Sequence, residues 1–304
     1  MSRTFSTIIT NPPFQDREAR GHTRHKLWLD FTRLCMDSLL EEDGHFCQVS
    51  PASFRSPSSL VLDYFRTYQV QWVDLTVNRF FPDVALDFAT YHLTRTPDDG
   101  QQPTTIHTAQ GEFPVRFNPQ LFYVPNELTE ASTSIHRKVI FETTDKLPVE
   151  RDYVTCHNII LKRDGQAGTL SKTRTERHIY PVLHTNRQTW YSAVRQPFAS
   201  APKVMWTRSG YTRPFFDAGQ LGVTDMAYFV KVPDDTSGKH LAHNMNSALL
   251  RYIYKTARWS GFGHERVFAA LPTLPLDRSL ADEEMFDLFE LSPAERQEVM
   301  HHVG

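Results

Sequence analysis

Near its start the chain runs Phe5-Ser-Thr-Ile-Ile-Thr10 and then Asn11-Pro12-Pro13-Phe14. The first six residues, aromatic and β-branched, read as a buried strand, and the two prolines stop it because neither can donate to a ladder. A residue before proline is pushed to extended backbone, so Asn11 is held at the strand's carboxyl edge with its amide projecting beyond the sheet. Its side-chain oxygen can accept a hydrogen bond from an amine. The Pro12 carbonyl can accept a second, and Phe14 offers a flat face for stacking. In isolation Asn-Pro-Pro is also an ordinary turn, so its meaning depends on the neighbouring elements.

Beyond Phe14 the chain alternates helix and strand. Asp16 to Arg24 is a polar loop. Leu27, Trp28, Phe31, Leu34, Cys35, Leu39 and Leu40 recur at helical spacing, with Glu41-Glu-Asp-Gly44 as the stop. A strand over 45–49 turns at Ser50-Pro51, a helix covers 59–68, a strand 71–77, then Phe80-Phe81-Pro82-Asp83-Val84 leads to a strand over 85–93. That order is the signature of a wound α/β sheet.

In sequence order, these residues resemble the S-adenosylmethionine-dependent amino-group methyltransferases that modify N6 of adenine in DNA, of the Type II restriction-modification kind. The features carrying the resemblance are Asn11 to Phe14, Leu27-Trp28 with Phe31, Gly44 with Ser50-Pro51, and Phe81-Pro82-Asp83-Val84. The resemblance implies a catalytic loop of Asn11, Pro12, Pro13 and Phe14, in which two acceptors draw on the amine protons and make the nitrogen more nucleophilic. It also implies that the base is swung out of the duplex and stacked on Phe81. For Phe80 core packing is the expectation.

Composition sets limits on the rest. A chain of 304 residues with 40% apolar content can bury a substantial core and is long enough for about two domains. No apolar run of membrane-spanning length and no secretory leader is evident, so the cytoplasm is the expected compartment. Cys35, Cys47 and Cys156 form no Cys-x-x-Cys pair, which argues for buried reduced thiols and against a zinc site. His264-Glu265 lacks a second histidine, and no Gly-x-Ser-x-Gly elbow exists, so hydrolase chemistry is not supported.

From Arg95 to Gln120 the composition marks a boundary or an inserted hairpin. The expected organisation is therefore a partial Rossmann-like methyltransferase sheet over 1–120, a mixed α/β target-recognition domain over 121–235, and a C-terminal helical segment with an acidic tail over 236–304. Within the second part, Lys138 to Glu142, Val154 to Leu161, Val204 to Trp206 and Ala227 to Val232 read as strands, and a helix runs from Asn244 to about Trp259. Between Lys162 and Arg213 ten basic residues face two acidic ones, in a chain whose net charge is −2. Interleaved with Tyr180, Trp190, Tyr191 and Trp206, that excess suits a DNA backbone, with Lys172, Arg174, Arg177 and Arg208 as candidate contacts. Pro202 to Gly210 and Asp217 to Thr224 are the parts of this domain most similar to the family.

The family holds S-adenosylmethionine on a Gly-rich loop after its first sheet strand, and only ten residues precede Asn11 here. The expectation is a catalytic and target-recognition subunit that acts on double-stranded DNA with a second protein carrying the cofactor-binding half. Gly261-Phe-Gly263 is the one candidate for a permuted cofactor loop, while Gly219 and Gly222 fit turns. The alternatives are a catalytically inactive DNA-binding or specificity subunit, or a methyltransferase acting on RNA or on a protein glutamine.

Overall fold

The computed structural model describes residues 4–14, 26–57, 59–81, 87–109, 111–117, 120–152, 169–185, 189–210, 212–259 and 262–303. The fold class is α/β, and the chain divides into two compact units, Met1–Arg137 and Lys138–Gly304. The polar loop after Phe14, Pro82 to Val84, the strand expected at Val154 to Leu161, and Cys156 lie outside the described residues.

The first unit is built on a six-stranded sheet: β1 (Phe5–Thr10), β2 (Leu40–Pro51), β3 (Tyr68–Asp74), β4 (Phe88–Pro97), β5 (Thr104–Thr108) and β6 (Gly111–Val115). Its spatial order is β1-β2-β4-β3-β5-β6. β1 and β2 are parallel, β3 and β5 are parallel, and β4 runs antiparallel between β2 and β3. Arg95 to Gln120 thus supplies a hairpin that widens the sheet. Helices α1 (Leu27–Leu34) and α2 (Leu60–Thr67) cover one face, where Thr32 meets Gln48 and Phe65 meets Tyr91. The core lies there, on Trp28, Phe46, Phe54, Phe65, Tyr91 and Leu93. The unit ends in α3 (Glu130–His136), capped by the Thr129 hydroxyl, which accepts from the Ser132 amide.

Four expectations for this unit need correction. β1 is not buried: among the described residues it pairs with β2 alone, and Ile9 is 79% exposed. Phe31 and Leu34 face outward, because the short α1 turns Trp28 and Thr32 to the sheet, where the Thr32 hydroxyl bonds Gln48. Glu41 to Gly44 does not close a helix. The helix gives way to a π turn at Cys35–Leu39, and the glycine lies in a bulge of β2, where register slips between the pairs Phe5↔Leu40 and Thr7↔His45. A β-carbon on Gly44 would stand 2.9 Å from the Glu41 carbonyl oxygen, which accounts for the glycine. The thiol expectation holds for Cys35, whereas Cys47 is only half-buried.

Among its described residues the second unit contains a three-stranded and a four-stranded sheet, besides a two-stranded ribbon of residues 258–259 and 262–263. In one, β10 (Lys203–Thr207) lies between β11 (Phe215–Asp217) and β13 (Ala227–Lys231). The other joins β12 (Gly222–Val223), β8 (Tyr180–Leu183), β9 (Thr189–Ser192) and β7 (Leu170–Ser171) in that order. Lys203 and Asp217 tie the segment 202–210 to the segment 217–224. The Lys203 ammonium is fully buried and donates to Asp217 at 2.6 Å and to the carbonyls of Ala199 and Ala201 at 3.1 Å. Asp217 accepts in turn from the backbone amides of Gly219, Gln220 and Leu221. Gly219 has φ +89°, and a β-carbon there would collide with the Ser200 carbonyl, so the expected turn glycine is required. Gly222 instead belongs to β12.

Corrections are needed here too. Val139, Ile140 and Phe141 lie in a π turn over Arg137–Phe141, not in a strand. All three are buried, and Thr143 returns its hydroxyl to the carbonyls of Lys138 and Val139. An unexpected helix, α4 (Asp235–Asn244), capped by Asp234, precedes the one expected from Asn244 to about Trp259, which is α5 (Ala248–Thr256), capped by Ser247. After β14 (Arg258–Trp259), β15 (Phe262–Gly263) and α6 (Glu265–Phe268), the acidic end folds into α7 (Asp282–Leu288) and α8 (Pro293–Val303). Arg296 bridges Glu283 and Asp287, and Glu295 is buried against Lys138 at 2.8 Å.

Lys203→Met leaves Asp217 charged and buried without its cation. The expected loss is about 3–5 kcal/mol, with much of it recovered in the Lys203→Met, Asp217→Asn double variant. Urea unfolding followed by circular dichroism measures both, and an unchanged midpoint in the single variant removes the pair from the unit's framework.

Candidate functional site

Because β4 runs against its neighbours, its first residue stands beside the last residue of β2, in the pair Pro51↔Phe88, and Asp74 at the end of β3 faces Thr90. The carboxyl ends of parallel strands and the start of β4 therefore gather at one end of the sheet, where open α/β sheets bind ligands. Asn11 follows β1 at this end and is exposed. Pro12 is buried, Pro13 exposed and Phe14 half-buried. The Asn11 amide makes no hydrogen bond to a described residue, so its oxygen remains available as an acceptor.

The aromatic residues converge. The Phe14 and Phe81 rings each lie 5.1 Å, centroid to centroid, from the ring of Phe88, tilted by 32° and 49°. Phe88 is 4% exposed, whereas Phe14 and Phe81 are half-buried and keep open surface. Aromatic pairs at this separation are favourable beyond the area they bury. Phe88 is fixed by its backbone amide, which donates to Asn78 Oδ1 at 2.7 Å, while the Asn78 amide donates to Asp87 at 3.1 Å. The sequence reading places Phe88 inside a strand without assigning it a role. A large aromatic at the first residue of an antiparallel strand, beside Ser50-Pro51, is the signal that could have found it.

Phe80 departs from its expected place in the core. It is 66% exposed, with the Arg79 guanidinium 4.8 Å above its ring. Beneath the site, the Thr32 hydroxyl, the Gln48 amide and the Tyr91 phenol form a buried chain of hydrogen bonds, and burial raises the Tyr91 pKa, keeping it a neutral partner. Ser50, fully buried at the end of β2, has a hydroxyl without a hydrogen-bond partner.

The basic residues are divided between two places. Lys172, Arg174 and Arg177 are exposed together on the turn between β7 and β8, with the Lys172 ammonium 5.8 Å from the Trp190 ring. Arg208 is half-buried just after β10, where its Nε donates to the Gly263 carbonyl at 3.2 Å. Trp190 and Trp206 are 4% and 3% exposed, so they are core residues and not the surface stacking groups expected. Tyr180 and Tyr191 are half-exposed.

A cofactor loop is not found among the described residues. The described turns after β1, β2 and β3 contain no glycine. Gly263 is packed so that a β-carbon would strike the Phe268 ring, and its amide is used by the Arg208 carbonyl at 2.9 Å.

No protein-family model and no curated protein sequence matches the chain. Among solved structures it is similar to the Type IIL restriction-modification enzyme MmeI in complex with DNA, at a TM-score of 0.48 and 8% identity over 98% of this chain and 53% of that one. It is also similar to the Type IIG restriction endonuclease BpuSI, at a TM-score of 0.29 and 8% identity over 93% of this chain and 44% of that one. The chain thus spans about half the length of these structures, and at such scores function has to be read from the chain's own residues.

Phe88→Ala removes the ring that both other aromatics rest on and is expected to cost about 3–5 kcal/mol in urea unfolding. Phe81→Ala, at a half-exposed position, is expected to cost no more than about 1 kcal/mol. Equal losses would make Phe81 a core residue and end its candidacy as a binding surface.

Proposed function

We propose that this chain is the catalytic and target-recognition part of a DNA adenine-N6 methyltransferase. The observation that carries the reading is the exposed Asn11 acceptor on a loop whose Phe14 shares the Phe88 platform with Phe81. An amine-bearing planar ring needs two such things: an acceptor oxygen for its N–H and a flat apolar surface for its face. In this reading Asn11 and the Pro12 carbonyl orient the amine, Pro13 stiffens the loop, and Phe14 and Phe81 hold the extruded base. Lys172, Arg174 and Arg177 contact phosphates, as their shared exposed turn supports, and a nucleic acid is preferred to a protein substrate on that charge.

S-adenosylmethionine supplies the methyl group in this chemistry, and it is proposed to be held outside the described residues, on a second protein. The apolar surface of β1 supports that division: Ile9 is 79% exposed on a strand that pairs, among the described residues, with β2 alone, and such surface is what native proteins cover.

Calorimetric titration of S-adenosylmethionine into the chain alone is expected to give no saturable binding, and tight binding would overturn the division. In the enzyme completed by its cofactor-binding partner, Asn11→Ala is expected to leave DNA affinity unchanged and to lower methyl transfer about 100-fold or more. Equal transfer rates would remove Asn11 from the mechanism.

Replacing Lys172, Arg174 and Arg177 together by Glu is expected to weaken binding to all duplex sequences alike and to flatten the slope of log affinity against log salt by about 3. An unchanged slope would make the turn a merely solvated one.

A further inference from the structure

The second unit holds a cavity of about 330 Å³ that takes no part in the Asn11 site. It is framed by the end of β10 and the turn after it, by one face of α5, and by α6. Arg208, Arg213, Arg251, Lys255 and Arg258 line it, and no described carboxylate does. Arg251, Tyr254 and Lys255 reach it together because they sit three and four residues apart on α5. Five cations around one half-open space repel one another, and with no carboxylate among the described lining residues an anion is the natural counter-charge.

A second, independent observation points the same way. Trp206 Nε1, Thr212 Oγ1, Arg251 Nε and the Tyr254 hydroxyl are buried side-chain atoms without hydrogen-bond partners, and all four residues line this cavity. Trp206 is 3% exposed. Buried polar atoms left unpaired are costly and rare, and four of them belong to residues of this one lining, each atom itself closed off, so that a polar occupant would satisfy them as their side chains turn toward it. Indole and guanidinium nitrogens only donate, so what they lack is an acceptor. Gly210 has φ +72°, and a β-carbon on it would stand 3.0 Å from an Arg258 guanidinium nitrogen, which is the space that lets this arginine lie along the turn.

Size and walls narrow the chemistry. Cavities of about 300–1,000 Å³ hold small organic molecules, more than a bare oxyanion needs. Trp206, Tyr254 and Phe268 supply aromatic surface, with Phe268 edge-on to both of the others. We propose that this cavity binds a nucleoside monophosphate group, its phosphate taken by the arginines and its base lying against the aromatic wall. The group could come as a free nucleotide or as a phosphorylated end of a DNA strand.

Isothermal titration of the full chain with inorganic phosphate, AMP and a 5′-phosphorylated single-stranded DNA octamer tests this. Saturable binding of AMP, at least tenfold tighter than phosphate, is expected if the source is a free nucleotide. Octamer binding that depends on its 5′ phosphate, with AMP weak, is expected if the source is a strand end. In either case Arg251→Gln should weaken binding tenfold or more. Tyr254→Phe should weaken it several-fold while leaving the melting temperature of the free protein unchanged or higher, since it removes an unpaired buried hydroxyl and keeps the ring. The proposal is overturned if phosphate binds as tightly as AMP and the octamer. It is equally overturned if neither nucleotide probe binds a cooperatively melting protein at millimolar concentration, or if both variants bind like the parent.

Discussion

The reversed direction of β4 is the constraint on which the first unit depends. A strand inserted antiparallel between β2 and β3 begins where its neighbours end, so Phe88 arrives beside Pro51 and within reach of the segments that come after β1 and β3. Phe14 and Phe81, far apart in the sequence, then meet on one ring. Were β4 parallel, its first residue would lie at the opposite end of the sheet, and Asn11 would stand at an edge without an aromatic floor. The hydrogen bonds of Asn78 to Phe88 and Asp87 keep that first residue from fraying.

The second unit is organised by charge placed out of water. Lys203 and Asp217 can be buried only because every strong donor and acceptor they carry is matched: two carbonyls on one side, three backbone amides on the other. Such a pair gains little over an apolar pair of similar shape, but it allows few alternative arrangements. It fixes the start of β10 against β11, and the same strand delivers Trp206 to the cavity wall at its other end. Within this unit the buried cation is fully matched, whereas the cavity's polar atoms are not.

Much of the first unit was legible because its signals are local. The prolines after Thr10, the helical spacing from Leu27 and the turn at Ser50-Pro51 each act within a few residues, and the structure keeps a strand, helix and strand there. What escaped were consequences of partnership. Phe5 to Thr10 has the composition of a buried strand, yet burial is decided by what lies alongside, and among the described residues β1 has β2 as its one strand neighbour. Phe80 and Phe81 are chemically identical neighbours, and only the turn before them decides that one faces Arg79 and the other Phe88. Lys138 to Phe141 has strand-like composition but is buried at successive positions, a pattern that periodicity cannot assign. The cavity was invisible for the same reason, since its orphaned atoms come from β10, the turn after it and α5, and nothing in their spacing announces that they share a space.

Gly210 carries a consequence for the cavity beside it. Its left-handed backbone and the guanidinium packed against it make positions 210 and 258 a linked pair: a side chain at 210 is strained by its φ and also displaces the arginine. A side chain placed at 210 would therefore be felt first at 258, in β14. The mouth of the cavity is thus set by a backbone angle as much as by the guanidinium that lies beside it.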